Sequence, residues 1–199
     1  MLYGYTGKLL FVDLTDRSFH IEALSEDDAR NFIGGAALGA KILFDRMPAH
    51  TPAFAPESML GFVTSPANGN AAFLGGRYTV VSKSPVTDGW NDASSGGNFG
   101  AQLKRSGFDG VFVTGISETP VYILIDNGNV EIRSAEAVWG KTITPTEKIL
   151  RAEVGDPKAG VAAIGPAGEG LSYMASIMND THRAAGRGGS GAVMGSKRL

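Results

Sequence analysis

Val121-Tyr122-Ile123-Leu124-Ile125-Asp126-Asn127-Gly128-Asn129-Val130-Glu131-Ile132-Arg133 is the stretch that decides the fold class. Two β-rich runs, 121–125 and 129–133, flank Asn127-Gly128. Asn-Gly accepts the positive φ that both central positions of a type I′ turn demand, so the pair reads as a tight hairpin. A hairpin forces antiparallel pairing, and the N-terminal region repeats the theme. Residues 8–14 and 18–24 read as strands joined at Thr15-Asp16-Arg17. Phe19, Ile21 and Ala23 alternate with Ser18, His20 and Glu22, the pattern of a half-buried strand. Further strands are predicted at 59–63, 77–81, 110–114, 161–164 and 171–178.

Helices are fewer. Ser25 reads as an N-cap, and Glu26, Asp27 and Asp28 suit the positive end of a helix running to Phe32 or Ile33. After Gly34-Gly35 a second helix carries Leu38, Ile42 and Leu43 and stops at Pro48. A short helix covers 99–103 and ends near Ser106-Gly107. Thr144-Pro145-Thr146-Glu147 opens another, which ends near Gly155. Residues 64–76 and 84–97 read as long polar loops. Strands outnumber helices and no βαβ series repeats, so the predicted class is α+β with antiparallel or mixed sheets. No internal repeat or low-complexity linker divides the chain, and residues 1–199 are taken as one unit of a longer protein.

Composition removes several function classes. Apolar residues make up 43% and charged residues 19%, which is globular composition, and the net charge of −2 does not favour a nucleic-acid platform. There is no cysteine, so this chain has no disulfide and cannot hold a thiolate zinc site or an iron–sulfur cluster by cysteine. His20, His50 and His182 lack metal-ligand spacing. The N-terminus has no signal-peptide layout and no run approaches a membrane span, so a soluble cytoplasmic protein is expected. Glycine is in excess, 28 of 199, with no collagen-like period.

The glycines gather where the chemistry is. The richest segment is His182-Arg183-Ala184-Ala185-Gly186-Arg187-Gly188-Gly189-Ser190-Gly191-Ala192-Val193-Met194-Gly195-Ser196-Lys197. Successive backbone amides of such a stretch can form an anion-binding concavity, and arginine adds a two-pronged donor for phosphate. It contains Gly186-x-Gly188-x-x-Gly191, the spacing of a dinucleotide fingerprint, but without a strand ending at the first glycine. A flexible tail is the plainer reading of the same residues. A second segment, Asn91-Asp92-Ala93-Ser94-Ser95-Gly96-Gly97-Asn98, precedes a helix whose unpaired amides suit phosphate, or is an ordinary capped start. A third, Gly75-Gly76-Arg77-Tyr78, puts an arginine at a strand start, either for an anion or simply exposed.

Taken in order, these segments resemble the N-terminal domain of the tungsten-containing aldehyde ferredoxin oxidoreductases. The resemblance covers essentially the whole chain. It runs from Gly4-Tyr5-Thr6-Gly7-Lys8 through Gly75-Gly76-Arg77-Tyr78-Thr79-Val80-Val81-Ser82-Lys83-Ser84-Pro85 and Ser95-Gly96-Gly97. It continues in Pro120-Val121-Tyr122, Val138-Trp139-Gly140-Lys141, Ile164-Gly165-Pro166-Ala167-Gly168-Glu169 and Ile177-Met178-Asn179-Asp180, and closes with the glycine-rich segment.

What the resemblance implies is specific. The domain would have two β-sheets related by a pseudo-two-fold, forming a base for a bis-pterin tungsten (or molybdenum) cofactor whose phosphates are bridged by magnesium. Arg77, Gly96, Arg183 and Gly186 match pterin-contacting positions. Ser94 and Ala184 match positions that offer backbone carbonyls to magnesium, Ser94 standing where asparagine is common. The whole enzyme would oxidise aldehydes to carboxylic acids and pass electrons through a 4Fe-4S cluster to ferredoxin. The cluster would belong to later domains, against which this one would pack; neither nucleic acid nor membrane is an expected partner, and a homo-oligomer is left open. The rival reading is a non-catalytic phosphate- or nucleotide-binding module.

Overall fold

A computed structural model describes residues 3–70 and 75–199; part of the predicted 64–76 loop, residues 71–74, lies outside them. The N-terminal hairpin forms as expected, from Lys8–Asp13 (β1) and Ser18–Ala23 (β2). Ser25 caps Glu26–Phe32 (α1), its hydroxyl accepting from the Asp28 amide at 3.0 Å. Gly35–Arg46 (α2) follows, then Leu60–Val63 (β3) and Tyr78–Lys83 (β4). Trp90–Ser95 (β5), Phe99–Arg105 (α3) and Gly110–Thr114 (β6) complete the first half. The decisive hairpin is Val121–Asp126 (β7) and Asn129–Ser134 (β8), with Asn127 at φ 50° and Gly128 at φ 84° in the turn. Ile143–Val154 (α4), Ala162–Ala163 (β9), Pro166–Glu169 (α5), Ile177–Asn179 (β10), Arg183–Ala185 (β11) and Ser190–Ser196 (α6) end the chain.

The strands form a mixed six-stranded sheet in the order β2-β1-β6-β3-β4-β5, a three-stranded sheet β11-β10-β9 and the β7–β8 pair. The α+β class therefore holds, and the two-sheet base implied by the resemblance resolves into one large sheet and two smaller ones. In the large sheet only β1 and β6 run parallel among the described strands; the other pairs are antiparallel. Over its central strands both faces are buried. Leu9, Phe11, Val63, Val81 and Phe112 pack under α1 and α2, while Leu10, Val12, Phe62, Tyr78 and Val80 pack on the other face. Gly39 lets α2 lie close, since a Cβ there would come within 2.6 Å of Val81 Cγ1.

Four expectations need correction. The 84–97 segment is not a loop throughout, because β5 pairs along its length with β4. Asn, Asp and Ser are poor strand formers, and pairing overrides the local preference. The strand predicted at 161–164 shrinks to two residues, and of 171–178 only Ile177 and Met178 are extended; Leu171 and Ser172 bond back into α5 through the Gly168 and Ala167 carbonyls. Phe19 and Ile21 are 46% and 45% exposed, because β2 is an outer strand with little above it. Lastly, the glycine-rich segment is not one continuous concavity, since Ser190–Ser196 is a helix whose first six residues are buried.

Candidate functional site

The three segments singled out in the sequence converge where β4 and β5 meet the β10–β11 hairpin. In the β4–β5 ladder Thr79 lies opposite Ser94 and Tyr78 opposite Ser95, which brings Arg77 beside Gly96. Paired residues of an antiparallel ladder project from one face, and alternate residues share it. Arg77, Thr79, Ser94, Gly96 and Asp92 thus belong to the same face, with Thr79 Oγ1 3.2 Å from Ser94 Oγ. Ser94 and Arg77 are exposed, and space is open above Gly96, where an added Cβ would meet nothing within 4 Å.

β11 packs beside β5, and each is the outer strand of its own sheet. What joins them is a fully buried amide. Asn179 Oδ1 accepts from Tyr78 Oη at 3.1 Å and from Ser95 Oγ at 2.7 Å, and its Nδ2 donates to the Gly96 carbonyl at 2.9 Å. One side chain thus ties the Arg77 strand, the Ser94–Gly96 segment and the β10–β11 hairpin together. Burial pushes the Tyr78 phenol up, which keeps it a donor. Arg183 pairs with Asn179 in the hairpin, so it projects from the same face of the small sheet; Ala184 pairs with Met178.

The turn between β10 and β11 is held from two sides. Asp180 and Thr181 take positive φ, 48° and 65°, a conformation that costs energy for residues with side chains. Glu147 of α4, 2% exposed, accepts from the Thr181 amide at 2.8 Å and from its hydroxyl at 2.9 Å. Asp180 Oδ2 accepts from the Asn98 amide at 2.5 Å. That carboxylate occupies the start of α3, where the sequence suggested a phosphate would sit; the anion there belongs to the protein.

A second buried amide fixes the glycines. Asn91 Nδ2 donates to Ser190 Oγ at 2.8 Å and to the Arg187 carbonyl at 3.3 Å. Ser84 Oγ donates to the Gly188 carbonyl at 2.9 Å, and Arg187 reaches Asp92 at 3.3 Å. Gly188 and Gly189 have φ of 65° and 78°. A Cβ on Gly188 would overlap Asn91 Oδ1, and the Gly191 amide donates to the Ala175 carbonyl at 3.1 Å. These glycines serve close packing, so the dinucleotide-like spacing does not mark a phosphate loop. Gly186 stays exposed.

Of the six positions matched in the sequence, Arg77, Ser94, Arg183, Ala184 and Gly186 are exposed and Gly96 is partly so, and β11, which carries Arg183 and Ala184, packs beside β5, which carries Ser94. Among the described residues neither the Arg77 nor the Arg183 guanidinium has a hydrogen-bond or ion-pair partner. Two free guanidiniums and open backbone suit an anionic group with several phosphate oxygens. The organising residues were not singled out in the sequence: Asn91 and Asn179 lie inside quoted segments without a role of their own, and Glu147 lies at a helix start. Each is a common polar residue whose role depends on partners 83 to 101 positions away for Asn179 and 34 for Glu147.

The comparisons with known proteins agree on a lineage. The family described as aldehyde ferredoxin oxidoreductase, N-terminal domain, matches residues 9–199. Tungsten-containing aldehyde ferredoxin oxidoreductases of Pyrococcus abyssi and Pyrococcus horikoshii are each 48% identical over 198 residues, covering all of this chain and 33% of theirs. A Pyrococcus furiosus protein named aliphatic sulfonate oxidoreductase, WOR-like subunit, is 38% identical over 213 residues. Among solved structures, the active-site complex BamBC of benzoyl coenzyme A reductase with 1,5-dienoyl-CoA superposes with a TM-score of 0.97 at 40% identity, over all of this chain and 30% of that one. The chain spans about a third of the length of these relatives. It belongs to the aldehyde ferredoxin oxidoreductase family, as its N-terminal domain.

Proposed function

We propose that this domain holds a bis-pterin tungsten cofactor for a longer enzyme that oxidises aldehydes to carboxylic acids. The observation that carries this reading is the pair of exposed, unpartnered guanidiniums, Arg77 and Arg183, together with the open backbone at Gly96 and the exposed Gly186. The donor set suits the group. Pterin phosphates need charge-assisted donors, which the arginines supply. Magnesium takes hard oxygen ligands, which the Ser94 and Ala184 carbonyls would offer. When bound, the metal–dithiolene unit supplies the two-electron redox chemistry. The chain's own residues bind and orient it, and Asn179, Glu147 and Asp180 hold the binding strands in place.

Cysteine is absent from this chain, so a 4Fe-4S cluster and the route to ferredoxin would be built by later domains. The aldehyde pocket would be walled by them too.

The test uses the longer protein. Arg77→Ala is expected to lower tungsten content severalfold, and Arg77→Lys to restore it only in part, since lysine lacks the planar fork. Metal analysis of the purified variants, with turnover on an aldehyde, reads the result. Unchanged tungsten and turnover in both variants would remove Arg77 from the site, and wild-type protein free of tungsten and pterin would overturn the reading as a whole.

A further inference from the structure

Arg77 is exposed and its guanidinium has no partner among the described residues, so whatever aims it must act on its backbone. Asn68 does this. It lies in the 64–76 segment that reads as a polar loop, yet it is 3% exposed. Its Nδ2 donates to the Gly75 carbonyl and to the Arg77 carbonyl, each at 2.8 Å. One amide group thus clasps the chain on both sides of Gly76. Gly76 is wedged from the other direction, since a Cβ there would come within 2.9 Å of the Gly97 carbonyl. Among the described residues no other side chain bonds to either clasped carbonyl.

A residue can aim its neighbour only if it is itself fixed. Asn68 Oδ1 accepts from the Ser65 amide at 2.7 Å and from the Ser65 hydroxyl at 3.0 Å. A side-chain amide has two donor hydrogens and two acceptor lone pairs, and all four are used. The turn that carries Asn68 is anchored in turn. Thr64 donates its amide and its hydroxyl to the Asp109 carbonyl, at 2.9 and 2.8 Å. Gly69, at φ 73°, rests on Lys104, where a Cβ would come within 3.2 Å of Lys104 Cγ. Lys104 pairs with Asp109, their side chains 7% and 1% exposed. Such a pair keeps its place, because losing either partner strands the other charge. Asp109 also accepts from the Gly7 amide at 2.7 Å, so β6, α3 and the N-terminal segment all meet under this turn.

We infer that Asn68 is the positioning residue for Arg77. It has no atom left for a ligand and acts through the backbone of the arginine, passing on the fixed place of the turn beneath. The inference rests on the reading of Arg77 as a cofactor contact. A two-pronged bond from a guanidinium to phosphate oxygens is sensitive to place, and a shift of about 1 Å is enough to spoil it. The side chain at 68 must also be an amide of this length. A carboxylate has the same shape and keeps the acceptors for Ser65, but it has no hydrogen to give and turns an oxygen toward two carbonyl oxygens.

The test uses the longer protein, with Arg77 intact or replaced by alanine. Asn68→Asp is expected to displace the Arg77 backbone by about 1 Å in a crystal structure and to lower tungsten content about threefold. In the Arg77→Ala background the same change should lower tungsten by less than about 1.5-fold, since residues acting as one unit are not additive. Gly100→Ala reaches the clasp from α3 and keeps that helix, and it serves where Asn68→Asp does not fold. Its Cβ would lie 3.1 Å from Asn68 Nδ2 and 3.1 Å from the Gly76 carbonyl, so the same dependence on Arg77 is expected in weaker form. An Arg77 that keeps its place in both variants would overturn the inference. So would a tungsten loss that is equal with and without the Arg77 guanidinium, because Asn68 would then serve stability alone. A displaced Arg77 with wild-type tungsten, in these variants and in Arg77→Ala, separates the two readings: the cofactor contact at Arg77 falls and the positioning stands.

Discussion

The large sheet has two outer strands, β2 and β5, and they are secured by opposite means. β2 is held from the surface. Glu22 receives two hydrogen bonds from Arg46, at 2.8 and 2.6 Å, and the Arg46 guanidinium lies 4.1 Å from the Phe11 ring centroid, with His20 stacked on the same ring at 5.2 Å. β5 is held from inside, by Asn91 and Ser95, which bury their polar atoms and spend them on the glycine segment and on Asn179. Solvent can replace a surface pair when it is lost, so such a pair contributes little. A buried amide has no replacement partner, and its loss leaves other groups unsatisfied. The candidate site sits on the β5 edge, where position is fixed by groups that tolerate no change.

The largest effect is expected at Asn179. Asn179→Leu conserves volume but leaves the Tyr78 and Ser95 hydroxyls and the Gly96 carbonyl without their partner. Stranded buried polar groups cost about 1–3 kcal/mol each, so a loss of about 3 kcal/mol or more in urea unfolding is expected. In the longer protein, tungsten content should fall with it, because Gly96 and Arg183 both take their place from this residue. A loss below about 1 kcal/mol would mean that the β5 edge is no more tightly specified than β2.

Gly188 comes next. Its φ of 65° disfavours a branched side chain, and a Cβ there overlaps Asn91 Oδ1. Gly188→Val should destabilise by about 2 kcal/mol and lower cofactor loading. Asn91→Ala relieves the overlap but not the backbone strain. In that background the cost of Gly188→Val should shrink by about 1 kcal/mol, a coupling measurable in a double-mutant cycle. Additive effects would show that Asn91 and Gly188 do not form one unit.

The same contrast explains what could be read in advance. β2 was visible because Phe19 and Ile21 alternate with polar residues, yet periodicity reports spacing and not what lies above the strand, so its exposure was hidden. β5 was invisible for the converse reason. Trp90-Asn91-Asp92-Ala93-Ser94-Ser95 has the composition of a loop, and its inward Asn91 and Ser95 are polar because they bond to the glycine-rich segment and to β10. Asn127-Gly128 was legible because a type I′ turn is decided by two adjacent residues. The six surface positions of the site came from resemblance and segment chemistry. The residues that hold them, Asn179, Asn91 and Glu147, could not be found, since their meaning lies in partners distant along the chain.

The smallest effect is expected on the β2 edge, and it carries a pH signature. The Arg46 hydrogen bonds hold the Glu22 carboxyl down to about 2 from an ordinary 4.5, against burial that pushes it up and with His20 assisting. A carboxylate whose folded value is depressed adds stability that is fully present above its unfolded value. That contribution is lost as pH falls from about 4.5 through about 2. Glu22 and Arg46 are each 36% exposed in their side chains, so solvent screening limits the contribution to under about 1 kcal/mol. Glu22→Gln should therefore cost a few tenths to 1 kcal/mol near neutral pH, and the gap from wild type should close on acidification. Raising the salt concentration at neutral pH should narrow it as well, because an exposed pair is screened. Urea titrations at several pH values read both effects. A Glu22→Gln cost that stays large at pH 2, or one that rivals Asn179→Leu, would mean that β2 is held by packing rather than by its surface charges.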